Sequence, residues 1–285
     1  MKDSLMNYLF LKRFNTYNYL VAILVFCSCT NKGRPQNISY TLHKPDREIQ
    51  LPEILNEISG MSPISNDILA CIQDEKGEIF FYNTDKKKME ASVKFAKSGD
   101  FEDIAKVKKK FYVLRSDGAL FKYHYKKEKT AKQETKLPSH LDYEGLCYWE
   151  EKKALLIVPK EAQKKHHNIF FYDIDAKKII EENTIELRHK SIKKLLKKKY
   201  GVKDGIQFKP SGIAIHPITK HLYIIASVGK LLLVCDEKGI PVDIHQLDPE
   251  IFNQPEGITF NEKGDLYISN EANTKEANIL IFYPH

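Results

Sequence analysis

Three short stretches place an acid at the start of an apolar run: "FEDIA" (101–105), "YEGLC" (143–147) and "PEGIT" (255–259). Two others, "ISGMS" (58–62) and "PSGIA" (210–214), put Ser in the same place. Glu102, Glu144 and Glu256 therefore occupy equivalent positions, with Asp103 beside Glu102 where the other steps have glycine, and Asp117, Glu161, Asn270 and Glu271 close the strand-like runs that follow. Carboxylates that converge on one water-filled opening repel one another. A hard cation such as Ca²⁺, which takes six to eight oxygens in irregular geometry, would relieve that repulsion. A cationic or hydroxyl-rich ligand, or carboxyls sharing protons, would do so too. Against these stands a plain packing role, in which the Glu bonds a neighbouring backbone and the Gly relieves crowding.

The elements that carry these residues repeat. The steps are centred on 60, 103, 145, 212 and 257, so the intervals are 43, 42, 67 and 45 residues. After each step comes an aliphatic strand ("DILACIQDE", "KALLIVPKE", "GDLYISNE"), a third strand ("EIFFYNT", "NILIFYP") and a more polar fourth ("MEASVKF", "PVDIHQL"). Four short strands in a unit of this length are the signature of a β-propeller blade. The expected fold is an all-β propeller of five four-stranded antiparallel blades, with six possible if the long interval hides another. The last unit lacks a fourth strand, and "NISYTLHKPDREIQLP" (37–52) is placed to supply it. Within the long interval, Ile192, Leu195, Leu196 and Tyr200 form a narrow apolar stripe. With Gly201 as a stop signal, this predicts an inserted helix near 187–200, lying on the rim.

In such a ring the first strand of each blade starts on one face and the second returns to it. The acid steps and the ends of the second strands then meet at one mouth of the channel. The histidines give less. His124, His166, His167, His189 and His245 read as surface, and His216 as a turn residue at the opposite face. Cys71, Cys147 and Cys235 sit in apolar runs and read as buried free thiols.

The chain carries 45 Lys and Arg against 38 Asp and Glu, for a net charge of +7. The lysines lie in scattered runs ("DKKK", "KVKKK", "HYKKEK"), as expected of hairpin ends and exposed strand edges rather than a nucleic-acid surface. At the N-terminus, Lys2, Lys12 and Arg13 precede an apolar run from Tyr19 to Phe26, of signal-peptide length. It ends in "FCSC", which resembles a bacterial lipobox with Cys29 as the lipidated residue; an uncleaved signal anchor is the competing reading. The expected organisation is a signal peptide (1–28), a tether (29–37) and one propeller domain (38–285). The expected address is a bacterial membrane, the outer in preference to the inner, with the domain facing the periplasm or exterior as a monomer.

"YEGL", "PSGIAIHP" and "QPEGITFNEKGDLYISNE" resemble the SdiA-regulated family of envelope propellers, across roughly residues 38 to 284. That resemblance implies an extracytoplasmic propeller with no established enzymatic activity. The acid–Gly step is also similar to that of six-bladed, calcium-dependent lactonases of the gluconolactonase type, where the Glu is a metal ligand. This chain lacks their repeated Asn–Asp pair and has fewer blades. No nucleophile elbow, phosphate loop or zinc-protease motif is present. The expectation is a binding propeller with Ca²⁺ at its acidic mouth, taking a small ligand or an envelope protein. A calcium-dependent hydrolase of lactones, phosphoesters or sugars, or a structural scaffold, are the alternatives.

Overall fold

Runs of aliphatic and aromatic residues, each cut after five to eight positions by a Lys, Asp, Asn or Gly turn, can only pair with their immediate neighbours. The computed structural model, which describes residues 39–202 and 207–285, shows that pairing five times over. The strands, in chain order, are β1 (Arg47–Gln50), β2 (Ile58–Pro63), β3 (Ile68–Gln73), β4 (Glu78–Asn83), β5 (Lys88–Lys94), β6 (Phe101–Val107) and β7 (Lys110–Arg115). They continue with β8 (Leu120–His124), β9 (Lys129–Gln133), β10 (Tyr143–Trp149), β11 (Ala154–Pro159), β12 (His166–Asp173), β13 (Lys178–Ile179) and β14 (Ile185–Arg188). The last are β15 (Lys209–Ile215), β16 (Leu222–Val228), β17 (Leu231–Cys235), β18 (Pro241–Gln246), β19 (Pro255–Phe260), β20 (Leu266–Asn270) and β21 (Asn278–Phe282).

The sheets are β2–β5, β6–β9, β10–β14, β15–β18 and β19–β21 with β1. Strands β2, β6, β10, β15 and β19 touch one another in that cyclic order and line the channel of a five-bladed propeller. β1 pairs antiparallel with β21, Arg47 opposite Ile281 and Gln50 opposite Asn278, so the N-terminal strand closes the fifth blade as expected. The long interval holds no sixth blade among its described residues. The outer edge of the third blade is instead split: β13 and β14 both pair with β12, separated by a short 3-10 turn at Glu181–Asn183. The chain then runs into helix α1 (His189–Tyr200).

Packing lies between blades. Alternate residues of one strand serve different cores: in β3, Ile68, Ala70 and Ile72 face the second blade, while Leu69 and Cys71 face the fifth. This is why the middle strands read as unbroken apolar runs rather than alternating ones. The outermost strands have water on one side, and most of β9 is exposed. Helix α1 buries Ile192 and Leu196 in the core between the third and fourth blades. It stops at Gly201, whose φ of 71° lets its N–H reach the Lys197 carbonyl. Lys199 pairs with Asp243 at 2.6 Å and the Tyr200 hydroxyl donates to the Ile244 carbonyl, so α1 is a rim helix that ties the third blade to β18 of the fourth. Among the described residues no helix is long and apolar enough to cross a membrane. Cys71, Cys147 and Cys235 are free and buried. The expected signal peptide, Cys29 and the whole of the tether lie outside the described residues.

Candidate functional site at the acidic mouth

Every channel strand breaks register at its acid or serine step. Ile58 faces Gln73 and Gly60 faces Ile72, which leaves Ser59 unopposed. Glu102, Glu144 and Ser211 are skipped in the same way, and Glu256 with Gly257 in the fifth blade. A bulge bends the strand locally and re-aims the side chain of the extra residue. The bulge therefore explains why Ser or Glu recurs at one position, and the two types do different work there. Ser59 donates to the Phe101 carbonyl at 2.7 Å and Ser211 to the Pro255 carbonyl at 2.9 Å, each sewing its blade to the next. The glycine beside the bulge marks a close approach. A Cβ on Gly60 would lie 2.6 Å from the Asp103 Cα, and one on Gly212 would lie 2.6 Å from the Glu256 carbonyl oxygen.

Asp103 stands where the other blades have glycine and is only 2% exposed. Its two oxygens accept the Ile104 and Leu146 backbone N–H groups, both at 2.7 Å, which staples the second blade to the third. Burial pushes its carboxyl well above the ordinary range, although both amides pull the other way. These bonds give Asp103 a structural task.

Glu102, Asp142 and Glu144 each bring a carboxylate oxygen to within 4.8 Å of the others. Burial, followed by the charges of Glu144 and Asp100, pushes the Glu102 carboxyl up to about 10. Glu144 is also raised by burial, against the pull of Lys160. The Lys160 ammonium donates to Glu144 Oε1 at 2.5 Å. Burial opposes its charge, but Glu144, Asp142 and Glu256 more than offset that and hold it above its ordinary range. Asp142 is raised by burial too. It escapes a reading by repeat position because it lies one residue ahead of β10, at the end of a polar connector.

A second group of acids lies at the junction of the first and fifth blades. Asp74 is pushed up to about 7 by burial and by Glu57, and Glu271 is raised by the same two causes. Gln254 Nε2 donates to Glu271 at 2.6 Å. Glu256 feels both groups. Burial and the charges of Glu144 and Glu271 push it up to about 8. Asn270 lies beneath them, almost fully buried, with its amide donating to Asn278 Oδ1 and the Ile251 carbonyl.

The other candidates stay apart. Asp117 forms a two-point ion pair with Arg115, which lowers its carboxyl below the usual range. Glu161 pairs with Lys209 at 2.6 Å and is half exposed. The structure thus gathers Glu102, Glu144, Glu256 and Glu271, adds Asp142 and Lys160, gives Asp103 and Asn270 packing partners, and leaves Asp117 and Glu161 at the rim.

Of the histidines, His167 differs from its surface reading, and His216 holds a turn at the opposite face. His167 is fully buried, with Nδ1 3.0 Å from His189 Nε2 and burial pushing its ring down to about 4. His216, also fully buried, accepts the Ile218 and Thr219 N–H groups at Nδ1. Its other nitrogen, which then carries the hydrogen, donates to the Tyr40 hydroxyl at 2.8 Å, and that hydroxyl donates to the Gly264 carbonyl at 2.6 Å. At this opposite end the channel widens into a cavity of about 850 Å³. Met61, Ile104, Leu146 and Ile258 form its walls, with Lys106 and Asn261 at the rim.

With ring, bulges and acids in place, the comparison with known sequences is direct: residues 37–274 match the SdiA-regulated family. The chain belongs to the SdiA-regulated family. No curated protein matches it. Among solved structures, glutaminyl cyclase of Myxococcus xanthus superposes with a TM-score of 0.58 at 11% identity, covering 85% of this chain and 95% of that one. A protein of unknown function from Bacteroides thetaiotaomicron gives 0.51 at 13% identity, over 82% of this chain and 58% of that one. A luciferin-regenerating enzyme gives 0.49 at 11% identity, over 86% and 94%. At these identities the likeness is one of fold.

Proposed function

We propose that this SdiA-regulated propeller is a lipid-anchored binding protein whose acidic mouth takes Ca²⁺ and, over it, a small ligand or envelope partner. The observation that carries the reading is the trio Glu102, Asp142 and Glu144, with oxygens within 4.8 Å of one another. Burial raises all three carboxyls, so their joint ionisation calls for a countercharge. The donor set suits a hard cation: three carboxylates, each mono- or bidentate, with water completing the shell. Lys160 supplies part of that countercharge and is 39% exposed, so its ammonium can swing into water as a cation enters. Anchoring is supported by the lipobox-like "FCSC" and the apolar run before it.

Calorimetric titration of the chain with Ca²⁺ tests the cation. Heat of binding that is lost in the double variant Glu102→Gln, Glu144→Gln supports the trio, and no heat from the native chain sinks it. Metabolic labelling with a radioactive fatty acid tests the anchor, which requires the label to disappear in Cys29→Ala. A second reading rests on Glu256, whose carboxyl at about 8 has the poise of a general acid or base at neutral pH. A calcium-dependent hydrolase predicts turnover of a lactone, ester or phosphoester that needs Ca²⁺ and fails in Glu256→Gln.

A further inference from the structure

The chain's termini and its lysine-bearing turns share one face of the ring. Because the strands alternate in direction, the hairpins joining first to second strands, and third to fourth, all lie opposite the acidic mouth. Among the described residues, nine that are not glycine have positive φ, and eight of these are lysines. Five of those eight, Lys87, Lys108, Lys153, Lys177 and Lys220, stand in the hairpins of this face. A left-handed conformation costs an L-residue roughly 1 kcal/mol or more, and glycine is the residue that relieves it. Glycine does take the corresponding turn positions at Gly239 (φ 77°) and Gly264 (φ 91°), so the fold accepts it there. Keeping lysine in the other turns forgoes stability and retains charge.

Lys220 is paired with Glu151 at 2.6 Å, and Glu150 and Glu262 also lie on this face. Lys87, Lys108, Lys153 and Lys177 are exposed, and they span the first three blades. The same face holds the start of the described chain. Tyr40 is fastened to Gly264 and His216 in two of its hairpins, and the Ser39 carbonyl accepts the His285 N–H at 3.1 Å. From Cys29 to Ser39 the chain can span at most roughly 35 Å. An anchor at Cys29 would therefore hold the start of this face within that distance of the bilayer, and the turn lysines would decide which way the ring turns. Near an anionic leaflet each lysine gains about 1 kcal/mol, within a Debye length of about 8 Å.

We infer that the turn-lysine face is a docking surface for an anionic phospholipid bilayer, with the acidic mouth directed away from it. The inference rests on the anchored reading for delivery to the membrane and on the turn lysines for orientation. The test uses full-length chains floated with vesicles of phosphatidylcholine alone or mixed with phosphatidylglycerol. In a Cys29→Ala background, exchanging Lys87, Lys108, Lys153 and Lys177 for Gln is expected to lower partition onto the anionic vesicles by at least about tenfold. Exchanging Lys97, Lys136 and Lys164, on the acidic side, is expected to leave it unchanged. Equal partition of the fourfold variant and its parent, with matching thermal melts, overturns the docking surface. An equal loss in the control variant overturns it as well. The anchor is read separately on neutral vesicles: equal retention of native and Cys29→Ala chains would remove it without touching the lysine comparison.

Discussion

The two ends of one channel are built on opposite principles. At the acidic mouth, bulges turn carboxylates inward, burial and mutual repulsion raise their proton affinity, and one lysine reaches in to compensate. At the other end the walls open into a cavity with apolar and charged lining, and lysines held at positive φ project from the surrounding turns. One end concentrates charge where water is scarce, which suits a site that a cation completes. The other spreads charge where water is plentiful, which suits a broad anionic surface. Both follow from the same repeat, because a strand's first residue is set by its neighbours while its closing turn is nearly free to vary.

The comparison breaks most severely at Asp103, the residue that looks like part of the site and acts as a staple. Asp103→Ala leaves the buried Ile104 and Leu146 amides without acceptors. It should cost on the order of 2–5 kcal/mol in denaturant unfolding, with Asp103→Asn retaining part of the difference. A small loss would return Asp103 to the ligand set. Gly60→Ala, whose methyl would meet the Asp103 backbone, should cost about 1–3 kcal/mol in the same measurement.

Proton linkage sharpens the acidic end. Glu256 at about 8 and Glu102 at about 10 hold protons that the unfolded chain releases near 4.3. The folded state then binds more protons than the unfolded one, so stability is fully present below about pH 4 and falls as pH rises toward 8 and beyond. Thermal melts across that range should show the fall, and Ca²⁺ should reverse it, most strongly at high pH where the carboxyls are ionised. A melt that rises with pH would contradict the burial of these groups. Lys160→Met should tighten Ca²⁺ binding by removing the competing ammonium, again read by calorimetry. The smallest effect is expected at the other end. Lys108→Gly with Lys153→Gly should change stability by only a few tenths of a kcal/mol to about 1 kcal/mol, upward, as relief of the left-handed turns offsets the added freedom of the unfolded chain.

Much of this was legible in residue order. The five steps, the declining apolarity across each blade and the orphan strand at 37–52 were enough to specify the ring and its closure, because strand pairing within a blade is local. What stayed hidden depends on distances between blades. Asp142 sits in a connector, and nothing in its neighbours signals that it meets Glu102 from the preceding blade. Asp103 and Glu102 are adjacent in sequence yet have different fates, since Glu102 is the extra residue of the bulge while Asp103 returns to the ladder opposite Leu114. His167 looked exposed among "KKHHN", but the split outer strand and α1 fold over it. Asp117 and Glu161 were placed on the correct side of a blade, and only the partners Arg115 and Lys209 reveal that their charges are already matched.

The pairing of β1 with β21 has a consequence for how the molecule comes into being. Strand β21 cannot be completed on its open side until residues 47–50 return to it from more than two hundred positions upstream. While the chain emerges from a ribosome, the first-made strand must wait without its partner. Four finished blades would then be curled toward a gap that only the last-made segment fills. Closure is thus the final act of assembly, and a chaperone that shields an unpaired β-edge would find its substrate in that interval.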